Sequence, residues 1–142
     1  KTAEKLRVYK DSLSKEEIEE ILLTGGKIWL YYDNKNLVCS MFYMPIEKKI
    51  LLKHNVDLEE NFVGSLGPIM VSPDYVGHGL QREMMNVLVN YCRSINKKYI
   101  FTKVCSDNVY SLNNMLKCDF KVVDQYINER GSNTALIKKM EK

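Results

Sequence analysis

The passage from Ile69 to Gln81 restricts this chain most: an apolar extended run enters a short loop, meets two glycines one residue apart, and becomes a helix. Ile69-Met70-Val71 is the end of the run, Ser72-Pro73-Asp74-Tyr75 the loop, and Val76-Gly77-His78-Gly79-Leu80-Gln81 the turn into the helix. Glycine lets a backbone turn tightly and approach a ligand with no Cβ between them. A helix N-terminus adds unpaired N–H donors and a partial positive charge. Together they suit an anion, a pyrophosphate in particular. Alone, Gly-x-Gly also fits a tight strand-to-helix turn that holds nothing. The third glycine of a dinucleotide fingerprint is missing, with Arg82 in its place.

The surrounding pattern sets the architecture. Ser14 with Glu17 three residues later is a capping box, and Ile18, Ile21 and Leu22 share one face, so residues 14–24 predict a helix that Gly25-Gly26 ends. Residues 27–32 and 37–44 are rich in aromatic and β-branched side chains and flank Asp33-Asn34-Lys35-Asn36, which reads as a hairpin. Residues 47–60 give no clear period. Residues 62–71 form a third extended run, and Gly67-Pro68 inside it marks a bulge or an edge, since proline donates nothing to a ladder. Leu80, Met84, Val87, Leu88 and Tyr91 recur at helical spacing, which carries the helix from Gly79 to about Ile95. A strand over residues 99–104, a helix over 109–117 opened by Ser106-Asp107-Asn108, and strands over 120–127 and 134–140 around a turn at 128–133 complete the chain. Strand, helix, strand, helix, strand, strand predicts an α/β domain with a mixed sheet, its strands over 62–71 and 99–104 parallel and splayed apart near Gly67-Pro68.

Length and composition fit that reading. A chain of 142 residues without linker, repeat or low-complexity tract suits one domain over residues 1–142, and because it opens on Lys1 the reading leaves room for missing N-terminal sequence. No apolar run approaches the roughly 20 residues that a bilayer requires, and residues 1–10 are too polar and mixed in charge for a secretory leader. Cys39, Cys92, Cys105 and Cys118 lie singly, without the close pairs of a zinc site. They read as reduced, largely buried thiols of a cytoplasmic protein that holds no metal. A net charge of +3, with no long basic cluster, argues against nucleic acid as a partner.

The order of elements, and Val71, Pro73, Tyr75, Gly77 and Gly79 within it, resemble the GNAT acetyltransferases, whose pattern is a strand, a Val-x-Pro-x-Tyr-x-Gly-x-Gly loop and a helix. The next landmarks of that family, a strand, an asparagine and a short helix before a phenylalanine, fall on residues 99–104, Asn108, Ser111 and Phe120. The resemblance implies a single domain with a splayed central sheet flanked by helices, and acetyl-CoA as cosubstrate. It places the backbone of Met70 and Val71 along the pantetheine arm. The N–H groups of Val76, Gly77, His78, Gly79 and Leu80 fall at the pyrophosphate, with Gln81 next to them and Asn108 and Ser111 beside the cofactor. The reaction it implies is direct attack of a primary amine, from a small molecule or a peptide, on the thioester; a homodimer is compatible with it. The chain departs from the family where a Gln or Arg gives way to Val76, a small residue to Gln81, a glycine to Asp119 and a tyrosine that protonates the thiolate to Met115. Gln81 would then crowd the phosphates or donate to them, and Met115 leaves open a CoA-binding sensor or regulatory module without turnover.

For proton transfer the sequence offers Tyr110 as acid, close to Asn108, and Glu60 as base through a water; adjacent Glu59 and Glu60 also read as a solvated pair. His78 is the variable residue between the glycines, and His54 reads as a surface histidine that could otherwise face an acceptor. Trp29, Tyr31, Tyr32, Phe42 and Tyr43 would line an acceptor pocket or, on alternating faces, supply the core.

Overall fold

A computed structural model of the chain describes residues 14–140; the opening residues, on which the expectation of no leader rests, lie outside the described residues. Helix α1 (Lys15–Leu23) starts on the expected capping box: Ser14 Oγ accepts from the Glu17 N–H at 3.2 Å and the Glu17 carboxylate accepts from the Ser14 N–H at 2.8 Å. The Ser14 N–H, and after it the Ser14 hydroxyl, hold the Glu17 carboxyl below its ordinary pKa. Strands β1 (Lys27–Asp33) and β2 (Asn36–Pro45) form the hairpin, turning through Asn34 at φ 58°, which asparagine tolerates better than most residues. The stretch without a clear period contains α2 (Lys48–Lys53), followed by a 3-10 turn at Glu60–Phe62.

Strand β3 (Val63–Val71) then leads through a 3-10 turn (Pro73–Tyr75) into α3 (Leu80–Ser94), β4 (Tyr99–Cys105), α4 (Val109–Lys117), β5 (Lys121–Asn128) and β6 (Gly131–Lys139). The last turn is tighter than the sequence suggests, because β5 and β6 already pair at Asn128 and Gly131. The six described strands form one sheet in the order β1-β2-β3-β4-β6-β5, with β3 and β4 parallel and every other pair antiparallel.

Each face of the sheet has its own apolar layer. Met84, Met85, Leu88 and Cys92 of α3 and Met115 of α4 pack with Val38, Tyr43, Leu66, Ile100 and Leu136 on one face. Leu51 of α2 and Val56 pack with Val63, Phe101 and Ala135 on the other. Full burial of a side chain such as Leu88 stabilises the fold by about 1.5–3 kcal/mol. The cysteines are all free, but only Cys39 and Cys92 are buried; Cys105 ends a strand and is exposed, and Cys118 is intermediate. Among the described residues no helix is long and apolar enough to cross a membrane.

Candidate acyl-transfer site

The central strands separate where the sequence places its bulge. β3 pairs with β4 from Val63 opposite Tyr99 to Leu66 opposite Thr102. Beyond that point β3 stays with β2 as far as Val71 opposite Cys39, while β4 stays with β6 as far as Cys105 opposite Asn133. The register explains the fork. Met41 faces Ile69 but Tyr43 faces Leu66, so β3 carries one more residue than β2 at Gly67-Pro68. A Cβ on Gly67 would lie 2.9 Å from Cβ of Phe42 and from Cε of Met44, so only glycine admits this close approach. At the fork itself the Thr102 hydroxyl donates to the Leu66 carbonyl at 3.3 Å. Past it, the backbone groups of Met70 and Val71 that do not face β2 face the opening.

The turn lies at the C-terminal end of β3. The Ser72 N–H donates to the Val38 carbonyl at 2.8 Å and anchors the loop to the sheet. Gly77 at φ 92° and Gly79 at φ 77° occupy the left-handed region that a Cβ disfavours, and a Cβ at either would meet nothing within 4 Å. Their requirement is conformational and not a matter of space. Gly79 is the N-cap of α3 and supplies no side-chain cap, which leaves the first N–H donors of a 15-residue helix to an outside acceptor. Val76 is exposed, and so is His78. The Tyr75 hydroxyl donates to Asp33 Oδ2 at 2.7 Å and ties the turn to the hairpin; this bond raises the tyrosine pKa. Between the two segments lies a cavity of ≈ 420 Å³, with Tyr31 and Tyr32 on one side and Tyr75, His78 and Leu80 on the other.

Because β3 and β4 are parallel, both helix N-termini sit at the same end of the sheet, where open α/β folds place ligands. A polar chain joins them. Asn108 caps α4 by accepting from the Ser111 N–H at 3.2 Å. Ser111 Oγ accepts from Gln81 Nε2 at 3.2 Å, and Gln81 Oε1 accepts from Asn114 Nδ2 at 2.8 Å. The Gln81 side chain is therefore buried between α3 and α4, and only its backbone remains for an anion.

The structure thus brings Met70, Val71, residues 76–81, Asn108 and Ser111 to the same end of the sheet, with Tyr110 exposed on the first turn of α4. Glu60 stands apart. It precedes β3 at the closed end, and its carboxylate accepts the Lys48 N–H at 2.7 Å, serving the start of α2. Val63, the first residue of β3, lies four residues before the Gly67 bulge, roughly 13 Å at ~3.3 Å per residue. Met115 is a core residue and Tyr31 and Tyr32 are exposed, while Phe42 and Tyr43 are buried.

His54 corrects the surface reading. It is 3% exposed, its Nδ1 lies 2.9 Å from Asp124 Oδ2, and its ring faces those of Phe101 and Tyr126 at 5.7 and 4.7 Å between centroids. Its carboxylate partner is 70 positions away, so no local pattern could have shown the pair. Among the described residues no group of three or more His, Cys, Asp or Glu is placed to hold a metal.

A forked mixed sheet with a glycine turn and an uncapped helix at its open end is the frame of an acyl-CoA transferase. The chain belongs to the acetyltransferase (GNAT) family, whose pattern matches residues 2–120. A GNAT family acetyltransferase from Elizabethkingia anophelis with acetyl-CoA bound superimposes with a TM-score of 0.71 at 13% identity, over 89% of this chain and 84% of that one. The ribosomal-protein-S18-alanine N-acetyltransferase from Escherichia coli gives 0.70 at 14% identity, over 92% and 79% of the two chains. A Bacillus subtilis acetyltransferase in complex with CoA gives 0.68 at 10% identity, over 90% and 85%. No curated protein matches the sequence closely enough to count as a relative.

Proposed function

We propose that this chain transfers the acetyl group of acetyl-CoA to a primary amine of a small molecule or peptide. The observation that carries the reading is the fork after Leu66 and Thr102, which opens onto the positive-φ turn at Gly77 and Gly79. The residues present suit the cosubstrate: the N–H groups of residues 76–81 would take the pyrophosphate, the free backbone of Met70 and Val71 the pantetheine amides, and the end of α4 at Asn108 and Ser111 the adjoining arm. Acetyl-CoA, when bound, supplies an acyl group activated as a thioester. The chain contributes position, holding that acyl group and an amine in one crevice, and N–H donors near developing negative charge. The amine class of acceptor rests on likeness to the S18-alanine enzyme, and Tyr110 is the candidate acid for the departing sulfur.

A CoA-binding module without turnover is the second reading. Met115, at the family's tyrosine position, is buried in the core and has no proton to give. Calorimetry with acetyl-CoA, and thiol release with benzylamine, L-lysine and an alanyl dipeptide against a no-amine blank, separate the two. Binding with amine-dependent release supports transfer, binding without release supports the module, and no binding refutes both. Gly77→Val should abolish binding while leaving the fold intact, because a Cβ at Gly77 would meet nothing within 4 Å and β-branching excludes its φ.

A further inference from the structure

A separation between two strands can be reached from either face of a sheet, and here the two faces carry different chemistry. Helices α3 and α4 pack on one of them, over Ile100 and Leu136. Helix α2 packs on the other, where Leu51 joins Phe101 and Ala135. Lys103 belongs to this second face. It lies two residues after Phe101 on β4 and pairs with Ala135 of β6, and both of those neighbours are in the α2 layer. It also directly follows Thr102, the last residue of β4 to pair with β3. Lys103 is therefore the first residue of β4 beyond the vertex of the fork, and it is exposed.

A second ammonium stands near it. Lys53 ends α2, and burial, with the charge of Lys53 after it, lowers the Lys103 pKa. Neither lysine has a hydrogen bond or an ion pair among the described residues. The carboxylates close by in the fold have other partners. Asp124, which faces Ala135 from β5 and so shares the row of Lys103, lies 2.9 Å from His54 Nδ1. Asp57 pairs with Lys48 at 3.0 Å, and Glu60 accepts the Lys48 N–H at 2.7 Å. Two like charges brought together without a counter-charge repel, and an anion placed between them removes that repulsion.

We propose that Lys103 and Lys53 bind an anionic group of the acceptor, so that the substrate is an amine that also carries a carboxylate or a phosphate. The inference deepens the N-acetyltransferase reading above and rests on it. The N-termini of α3 and α4 reserve their own face for the cosubstrate, which leaves the α2 face of the fork to the amine. An acceptor whose anion meets Lys103 brings its amine to the vertex, one residue away along β4. The lysines hold the acceptor equally before and during the reaction, so they act on KM and not on kcat. One exposed ion pair strengthens binding up to about fivefold and two up to about 25-fold, less at high salt.

Matched acceptors test the proposal. Benzylamine against 4-(aminomethyl)benzoate, an alanyl dipeptide amide against the free dipeptide, and ethanolamine against phosphoethanolamine differ by one anionic group each. They separate a small carboxylate, a peptide C-terminus and a phosphate. In thiol-release kinetics at low salt, at least one anionic member should show a KM about 5–25-fold below that of its neutral partner, with kcat within about twofold. Lys103→Met and Lys53→Met should each remove most of that difference, and Lys103→Arg should keep it; both lysines are exposed, so the variants retain the fold. Lys139→Met removes the same charge at the closed end, opposite Tyr99, and should leave the difference unchanged. An active parent that treats every pair alike or prefers the neutral members overturns the subsite alone, as does a preference that survives both methionine variants or is lost equally in Lys139→Met. A parent that releases no thiol with any acceptor overturns the transfer reading, and this proposal with it.

Discussion

Replacing Gly77 by alanine isolates the conformational requirement of the turn. The residue sits at φ 92°, and a Cβ there would meet no atom within 4 Å, so no steric contact confuses the result. An L-residue in the left-handed region costs about 1–2 kcal/mol relative to glycine. That cost appears once. If the turn keeps its shape in the free protein, unfolding free energy falls by ~1–2 kcal/mol and acetyl-CoA affinity is unchanged. If the free turn relaxes to negative φ, stability is preserved, but binding must restore the strained form. At 1.4 kcal/mol per tenfold, Kd then rises about 5–30-fold.

Urea denaturation and calorimetry on the same preparation measure the two shares, whose sum should be ~1–2 kcal/mol. Gly77→Asn should recover part of it, because asparagine tolerates positive φ better than alanine. An affinity loss well beyond 30-fold for alanine would mean that the new methyl meets the ligand itself, the close backbone approach that the pyrophosphate reading requires. A Gly77→Ala protein matching the parent in both assays would refute the reasoning, since neither strain nor approach would then depend on glycine.

Gln81→Leu should destabilise the fold by ~1–3 kcal/mol in urea denaturation, because it strands the Ser111 hydroxyl and the Asn114 amide where α3 meets α4; an unchanged midpoint would show that this polar chain holds nothing. Burial pushes the Cys39 thiol up to about 11 and the Cys92 thiol up to about 12. From the ordinary thiol value of roughly 8.5 up to these values the native state keeps protons that the unfolded chain releases, so stability should fall as pH rises through that window. Thermal melts from pH 8 to 11 check the sign, and a transition that rises with pH would contradict it.

Local chemistry made much of this fold legible. Ser14 with Glu17, Gly67 with Pro68, and Asn108 at the head of α4 each act on residues a few positions away, and each performs the expected task. Helix α2 escaped because Lys48, Lys49 and Lys53 surround only three apolar residues, too short a run for a period to show. The Gln81 side chain escaped for a different reason. Its partners, Ser111 and Asn114, are 30 and 33 positions away, and only the folded chain shows that the amide is spent on a neighbouring helix. His54 and Asp124 belong to the same class, since a bulge on β5 brings them together and no spacing encodes it.

The departures at Val76, Gln81 and Met115 change side chains, whereas the fork and the glycine turn are features of the backbone. Val76 stands where the family places Gln or Arg, yet a residue at that position contributes its N–H whatever its side chain. Charge-assisted N–H bonds contribute about 1.5–3 kcal/mol each, and the helix dipole about 0.3–1 kcal/mol per favourable charge. Two or three such bonds outweigh one exposed side-chain ion pair, which contributes at most ~1 kcal/mol. What the turn cannot lose is the shape that aims those donors, and that shape depends on φ at Gly77 and Gly79 and on the bulge at Gly67. A fold can therefore be shared at 10–14% identity with the compared structures if a few glycines, one proline and the order of strands are kept.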